Sequence, residues 1–192
     1  MNKGRLEAFS DGVIAIIITI MVLELKAPHG AALADLKPLI PTFFSYALSF
    51  IYVGIYWNNH HHLLHAARTV NGPILWANLH LLFWMSLSPL MTAWLGENPM
   101  ASGPVAAYGA VLILMAIAFT ILSQLLIRHE GPDSVLARAT GADLKGKASL
   151  AIYATAIALA FVKPAISLVL YVTVAAIWFI PDRRIERTLG IK

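Results

Sequence analysis

The first long apolar run of the chain, at residues 5–25, carries ionisable groups at both ends. Twelve residues without an ionisable side chain separate Asp11 from Glu24. A helix needs about 20 residues to cross a hydrocarbon core roughly 30 Å thick, so this run spans a membrane only if Asp11 lies at or below the membrane surface. A charged group at that depth costs about 3 kcal/mol and normally faces protein or water. We therefore interpret Asp11 as part of a site within the membrane.

The composition indicates an integral membrane protein. Of the 192 residues, 59% are hydrophobic and 12% are charged, and the mean hydropathy is +0.73. The absence of cysteine excludes disulfides and thiolate metal sites. The net charge of +4 does not indicate nucleic-acid binding, because the basic residues flank apolar runs, where they set membrane topology. A cleaved signal peptide is disfavoured, because Glu7 and Asp11 lie in the region that a signal keeps basic.

Proline, glycine and charged residues divide the chain into apolar stretches of spanning length. The predicted spans cover residues 5–27, 40–66, 74–95, 104–127, 144–162 and 164–181. The last two come from one apolar region, which we divide at Lys163 and Pro164 because a lysine in the middle of one long helix would be costly. We therefore predict an all-α, polytopic membrane protein with six transmembrane helices, in which residues 1–192 form a single domain.

The basic residues are distributed unevenly between the two ends of these predicted helices. With the N-terminus inside, the outer segments carry only Lys26, Lys37 and Lys163. The inner segments carry the other eleven basic residues: Lys3, Arg5, Arg68, Arg128, Arg138, Lys145, Lys147, Arg183, Arg184, Arg187 and Lys192. This positive-inside bias predicts that both termini are cytoplasmic. No internal repeat is evident, so a central pathway would come from the symmetry of a homo-oligomer.

One face of the first predicted helix forms a continuous stripe. At 100° per residue, the following side chains lie within about 40° of a common line, with Ile20 close beside them: Arg5, Phe9, Gly12, Ile16, Thr19 and Leu23. One interpretation is a packing seam, in which Gly12 allows another helix to approach closely. The other is a pore lining with apolar rings at Ile16 and Leu23 and a hydroxyl ring at Thr19, since apolar constrictions gate ion flow by dewetting. The sequence leaves both interpretations open.

Polar side chains of three predicted helices lie at the same membrane depth, near the cytoplasmic end. Ser10 and Asp11 face away from the stripe, and Asp11 is too far along the helix from Arg5 for an ion pair, which needs a spacing of three or four. The second and third predicted helices contribute Trp57, His60, His61, His65, Asn78 and His80. We expect a hydrogen-bond network among these residues, which would also fix the register of the helices.

The same residues could also serve other chemistries. His61 and His65 share a helix face, but zinc needs three or four ligands and no cysteine or nearby carboxylate completes a set. A proton-coupled transporter that uses Asp11 and the histidines, and a haem protein that uses His61 and His80, remain alternatives. The sequence has no phosphate-binding glycine loop, nucleophile elbow or paired catalytic carboxylates. We therefore predict no enzyme activity, no metal site and no cofactor.

The R-x-x-x-F-S-D pattern formed by Arg5, Phe9, Ser10 and Asp11 resembles the signature of the transmembrane protein 175 family of endolysosomal potassium channels, in its bacterial branch. The sequences at residues 56–61 and 75–79 are similar to the family's second and third helices. The resemblance implies a passive cation channel that lacks the TVGYG filter of other potassium channels. It also implies a homotetramer of six-span subunits around the first helix, in the plasma (inner) membrane, with lipid, further copies of the chain and permeant potassium as its only partners.

The resemblance also implies roles for individual residues. Ile16 would form the apolar constriction, Leu23 and Ile20 would line further pore layers, and Thr19 would supply a hydroxyl that favours potassium. Arg5, Phe9, Ser10, Asp11, Trp57, His60, His61, His65 and Asn78 would hold the pore helix in place. The sequence departs from the family at residues 88–91, where relatives tend to have a proline, an aromatic residue and another proline. We expect the local geometry of that helix end to differ.

Overall fold

The computed structural model describes residues 3–141 and 143–179, and the regular structure of this part of the chain is helical, without strands. Its helices are α1 (Lys3–Leu23), α2 (Ile40–Ala66), α3 (Gly72–Ser86), α4 (Ser88–Glu97), α5 (Ser102–Glu130), α6 (Val135–Thr140), α7 (Leu144–Ala160) and α8 (Pro164–Phe179). A 3₁₀ helix, Leu33–Leu39, precedes α2. The C-terminal arginines that enter the topology prediction, and the last residues of the sixth predicted span, lie outside the described residues.

Several helices have the length and composition of membrane spans. Within the described residues, four stretches are long and apolar enough to cross a membrane: Lys3–Leu23, Leu33–Ala66, Gly72–Glu97 and Ser102–Glu130. α7 and α8 are shorter, with 17 and 16 residues, which corresponds to a length of about 25 Å. A turn that ends at Lys163 joins them. The architecture is that of a multi-pass membrane protein.

The first and third predicted spans differ most from the helices of the structure. The expectation that the first helix extends to residue 27 was wrong: α1 ends at Leu23, and Glu24 and Leu25 form a turn through backbone bonds to Met21 and Val22. The charges at Glu24 and Lys26 and the nearby Pro28 disfavour a longer helix, because the residue before a proline avoids the α conformation. The third predicted span also differs, because it contains two helices with a break at Leu87.

Pro89 accounts for this break. Proline has no backbone N–H and tolerates only the first turn of a helix. Pro89 therefore lies in the first turn of α4 and does not extend α3, and Leu87 serves as the cap of both helices. The backbone N–H of Met91 then bonds to the carbonyl of Leu87, which starts the new helix. On α4, the Thr92 hydroxyl contacts Ser49 of α2, and the Ser88 hydroxyl contacts the sulfur of Met115 on α5.

The helices pack around α5. α5 contacts α3, α4, α7 and α8, whereas α1 packs against α2, α3 and α4 at one side of the bundle. The buried side chains of α1 recur at spacings of three and four: Leu6, Ser10, Ile14, Ile17 and Met21. This spacing places the buried side chains on one face, as expected of a helix at the edge of a bundle. The opposite face of α1 is left exposed on the single chain.

Polar contacts gather several helix ends at one end of the bundle. The Lys3 ammonium donates to the carbonyls of Leu64 (3.1 Å), His65 (3.1 Å) and Ala67 (2.8 Å), which end α2. The Glu130 carboxylate at the end of α5 accepts from the backbone N–H of Arg68 at 2.8 Å. A cation at a helix C-terminus satisfies carbonyls that lack a helical partner. The start of α1, the α2–α3 loop and the end of α5 therefore lie together.

Candidate functional site

The exposed face of α1 contains the stripe found in the sequence. Ile16 is 58% exposed and Leu23 is 75% exposed. The remaining members of the stripe are also exposed: Arg5, Phe9, Gly12, Thr19 and Ile20. The structure therefore places the whole stripe on the surface of the single chain. A surface that carries this many large apolar groups is suited to contact with lipid, another protein chain or a narrow pore.

The Thr19 hydroxyl has a defined orientation within this stripe. It donates its hydrogen to the backbone carbonyl of Ile16, with 2.9 Å between the two oxygens. A hydroxyl has one hydrogen to donate and two lone pairs. Because the hydrogen is used within the helix, the oxygen lone pairs of Thr19 remain available to a cation.

A buried hydrogen-bond chain joins α1 to α2 and α3. The Ser10 hydroxyl donates to the carbonyl of Leu6 at 2.8 Å and accepts from Nδ2 of Asn78 at 2.9 Å. The Asn78 Oδ1 lies 2.7 Å from Nε2 of His60. An amide oxygen only accepts, so His60 carries its hydrogen on Nε2. Ser10, Asn78 and His60 are each at most 1% exposed, so this chain is sealed within the bundle.

A second set of polar groups lies on the exposed flank of α1 and α2. The Asp11 carboxylate accepts from the Trp57 indole N–H at 2.9 Å. The ring of Trp57 stacks on His61, with ring centroids 6.1 Å apart, and His61 stacks on His65 at 5.9 Å. Asp11 itself remains exposed on the single chain. The structure therefore connects Asp11 to the histidines through Trp57.

His80 does not join either set, contrary to the sequence expectation. Its Nε2 accepts from the indole N–H of Trp84, one turn further along α3, at 2.8 Å. Asn78 points into the bundle, and His80, two residues later, lies on the exposed side of the same helix. Residues two apart on a helix do not share a face, so the common depth of Asn78 and His80 did not give them a common partner.

No cluster of three or more histidine and acidic side chains suited to a metal ion occurs within residues 3–141 and 143–179. His61 and His65 provide two stacked imidazoles, which is fewer than the three or four ligands that zinc requires. The polar groups around α1 instead form hydrogen bonds between α1 and the neighbouring helices. These bonds hold α1 in an orientation that leaves the stripe exposed.

The structure also contains a buried hydroxyl layer that the sequence reasoning missed. The Thr92 hydroxyl lies 2.7 Å from Ser49 Oγ and 3.7 Å from the sulfur of Met21 on α1. Ser49 in turn bonds to the Tyr108 hydroxyl at 3.0 Å, and Ser45 donates to the carbonyl of Thr92 at 3.1 Å. The only sequence signal was the spacing of four between Ser45 and Ser49. This layer contacts the C-terminal half of α1 at Met21, as Asn78 contacts the N-terminal half at Ser10.

Comparison with known proteins places these features in a family. Residues 5–89 match the family model described as the endosomal/lysosomal potassium channel TMEM175. A protein of Chryseobacterium sp. (strain P1-3), named a potassium channel, is 57% identical over 189 residues, which are 98% of this chain and 98% of that protein. A Chamaesiphon minutus protein, also named a potassium channel, is 33% identical over 150 residues, 67% of this chain and 73% of that protein.

Two further comparisons concern the fold and an animal relative. The crystal structure of a lysosomal potassium-selective channel TMEM175 homolog from Chamaesiphon minutus matches with a TM-score of 0.81 and 28% identity, covering 94% of this chain and 97% of that chain. The human endosomal/lysosomal proton channel TMEM175 is 34% identical over 96 residues, 43% of this chain and 19% of that protein. The similarity to the bacterial proteins thus extends over most of the chain, and that to the human protein over less than half.

Proposed function

This chain belongs to the TMEM175 family of potassium channels, and from this premise we propose that it is a potassium-permeable channel with a pore lined by α1. The family is a family of channels and not of enzymes. The identity of 57% to the Chryseobacterium potassium channel, over nearly all of both chains, supports potassium as the permeant ion. Conduction would be passive. The subunit would cross the plasma membrane six times, with α7 and α8 as the last two spans and both termini in the cytoplasm.

The observation that carries this proposal is the surface of α1. Ile16 and Leu23 are exposed on the same helix as Asp11, whose carboxylate is also exposed. A carboxylate within the membrane normally faces protein or water, so contact of this flank with lipid would be costly. A homotetramer around α1 satisfies both requirements. The stripe would face a narrow central pathway, and the Asp11 flank would face a neighbouring subunit.

In this arrangement the stripe has the chemistry of a gated cation pathway. Each layer would repeat in every subunit, giving apolar rings at Ile16, Ile20 and Leu23 and a hydroxyl ring at Thr19. Narrow apolar rings exclude water and so limit ion flow, which makes Ile16 the proposed constriction. The Thr19 oxygen would offer lone pairs to a potassium ion, because its hydrogen is donated to the Ile16 carbonyl.

The polar side chains around α1 would act as its support. Ser10, Asn78 and His60 would fix the rotation of α1 against α2 and α3, through bonds that are sealed from solvent. Trp57 would hold Asp11 at the subunit boundary, with His61 and His65 stacked behind it. Arg5 and Phe9, exposed at the inner end of α1, would pack against a neighbouring subunit. No step of this function requires a cofactor.

Planar-bilayer recording of the purified protein under potassium and sodium gradients tests the proposal. We expect unitary currents that reverse near the potassium equilibrium potential. Ile16→Asn should raise the conductance about tenfold, because a barrier lowered by about 1.4 kcal/mol raises a rate tenfold. Ile166→Asn, on the exposed face of α8, is the matched control and should leave the current unchanged.

Two results would contradict the proposal. If Ile16→Asn, Ile20→Asn and Leu23→Asn all leave potassium flux unchanged in correctly folded protein, α1 does not line the pathway. If flux saturates with a second substrate and no unitary currents occur, the protein is a coupled transporter, as in the alternative that uses Asp11 and the histidines.

A further inference from the structure

A cavity of about 340 Å³ lies on the far side of α2 from the exposed α1 surface, between α2, α5 and α7. Its inner end is formed by Tyr52 and Tyr153, whose ring centroids are 6.4 Å apart. Its lining continues to Asp143 and Lys147, at the connection between α6 and α7. The cavity therefore runs from the bundle interior toward the end at which α7 begins. None of the proposed pore residues lines it.

The walls of the cavity are rich in aromatic side chains. Tyr56 and Phe119 meet edge to face, with centroids 6.0 Å apart, and Tyr153 and Trp178 lie on the α7 and α8 side. Aromatic side chains favour an aromatic guest, because rings attract one another in offset and edge-to-face arrangements. The body of a ligand suited to this cavity is therefore apolar and flat.

Two hydroxyl groups in this wall make no side-chain hydrogen bond within the part of the chain that the structure describes. Tyr56 is 9% exposed and Ser123 is 8% exposed, and neither side chain makes a hydrogen bond to another described residue. Both oxygens are accessible, since no fully enclosed side-chain oxygen in the described chain lacks a partner. Ser149, in the same wall, differs: it accepts from the Trp178 indole at 2.8 Å. Buried hydroxyls are normally hydrogen-bonded, so Tyr56 and Ser123 are suited to water or to polar atoms of a ligand.

The entrance has the chemistry of an anion site. The Asp143 carboxylate is already used, because it accepts from the backbone N–H of Gly146 at 3.1 Å and caps α7. Lys147, exposed in the first turn of α7, places an ammonium beside the positive end of the helix dipole. Helix N-termini with a nearby cation attract carboxylates. Because Asp143 already caps α7, an acidic group at the entrance would complement the Lys147 ammonium.

We propose that this cavity binds a small aromatic acid, with its ring system between Tyr56, Phe119 and Tyr153 and its carboxylate beside Lys147. The volume decides the size of the ligand. Pockets for small molecules begin at about 300 Å³, so a cavity of about 340 Å³ suits a ligand at the small end of that range. A fused two-ring acid fits this volume, and a membrane phospholipid with two acyl chains does not.

Equilibrium dialysis of naphthoate against the protein in lipid nanodiscs, with empty nanodiscs as the blank, tests this site. We expect saturable binding at one site per chain. Ser123→Leu fills the cavity and should weaken binding at least about tenfold, and Lys147→Gln should weaken it about fivefold, as expected for an exposed charge pair worth up to about 1 kcal/mol. Thr173→Leu on the exposed face of α8 and Lys163→Gln at the other end of the bundle are the matched controls.

The other outcomes overturn the proposal. Absence of saturable binding, or equal loss in the control variants, means that the cavity is not this site. If naphthalenemethanol binds as tightly as naphthoate, the carboxylate does not contribute to binding. If decanoate binds more tightly than naphthoate, the cavity is a site for an alkyl chain and not for an aromatic ring system. Displacement by an anionic phospholipid would assign the cavity to the bilayer. Binding does not depend on conduction through α1, so these outcomes are separate from those of the bilayer recording.

Discussion

At the scale of single residues, the Ser10–Asn78–His60 chain has little freedom to rearrange. The Ser10 hydrogen is donated to Leu6, so its oxygen can only accept, and Asn78 must turn its NH₂ group toward it. The amide oxygen of Asn78 is then left to face the ring of His60. Each hydrogen bond determines the direction of the next. The rotation of α1 is therefore coupled to a single amide orientation on α3.

Removal of one member of this chain should destabilise the protein. Ser10→Ala leaves the buried NH₂ group of Asn78 without its acceptor, and we expect a loss of about 1 kcal/mol, since side-chain hydrogen bonds within membrane proteins contribute about that much. Thermal unfolding in detergent or nanodiscs measures it. The matched control is Thr155→Ala, which removes an exposed hydroxyl bonded only to the carbonyl of Ala151.

The outcome that contradicts this role is a Ser10→Ala variant as stable as Thr155→Ala. A double-mutant cycle with Asn78→Ala adds a second measure, because a direct bond between the two side chains gives a coupling energy that separate local effects do not.

At the scale of helices, the sequence predicted most where the determinants were local. Runs of apolar residues and the positions of Gly131, Pro164 and Lys163 are readable from the chain itself, and α5, α7 and α8 occupy the stretches that these residues delimit. Depth along a helix was also readable, which brought Ser10, His60 and Asn78 into one layer. The rotation of each helix about its own axis was harder to predict from the sequence. The face that a helix buries depends on neighbours that are distant in sequence.

The hydroxyl layer of α2 and α4 illustrates this limit. Thr92 of α4 contacts Ser49 of α2, and Tyr108 of α5 completes the layer. No spacing within one helix encodes these contacts. A proline alone did not predict the break, since Pro41 and Pro104 lie near the starts of unbroken helices.

Close packing of α5 against α7 and α8 leads to a prediction at this scale. A methyl group on Gly109 would overlap the Tyr171 hydroxyl and lie 2.9 Å from Ile157 Cγ1. Tyr171 cannot move freely, because its hydroxyl donates to the carbonyl of Val105 at 3.1 Å. Gly109→Ala should therefore destabilise the protein by about 1–3 kcal/mol, the usual cost of overpacking, as measured by thermal unfolding.

Gly54→Ala is the matched control, since a methyl group there meets nothing within 4 Å. Alanine has a higher helix propensity than glycine by up to about 1 kcal/mol, so this variant should be at least as stable as the parent. Equal behaviour of the two alanine variants would mean that the α5–α8 contact tolerates a methyl group.

At the scale of the whole molecule, the helix ends define two sides of the protein. The α2–α3 loop lies beside the start of α1 and the end of α5. The 3₁₀ helix precedes α2 and therefore lies at the opposite end of α2 from this loop. Six crossings with the N-terminus inside would place Lys37 and Lys163 outside and Arg68 inside. The number of crossings depends on α7 and α8, which are the shortest of the proposed spans.

Cysteine labelling gives a direct measure of this topology, because the chain contains no cysteine of its own. In intact cells, a membrane-impermeant maleimide should label Lys37→Cys and Lys163→Cys but should label Arg68→Cys only after the cells are opened. If Lys163→Cys, like Arg68→Cys, is labelled only after the cells are opened, α7 and α8 do not cross the membrane as two separate spans.

The contacts of Lys3 also bear on the order in which the protein is assembled during synthesis. α1 leaves the ribosome first, but the carbonyls that Lys3 binds belong to residues 61 to 64 positions later. The residues that join the start of α1 to the end of α2 are thus all synthesised before α3. Asn78 follows Ser10 by 68 residues, so the buried bond that holds the rotation of α1 also needs a residue of this later helix. The orientation of the proposed conducting surface is decided by the third helix to be made, and not by the helix that carries it.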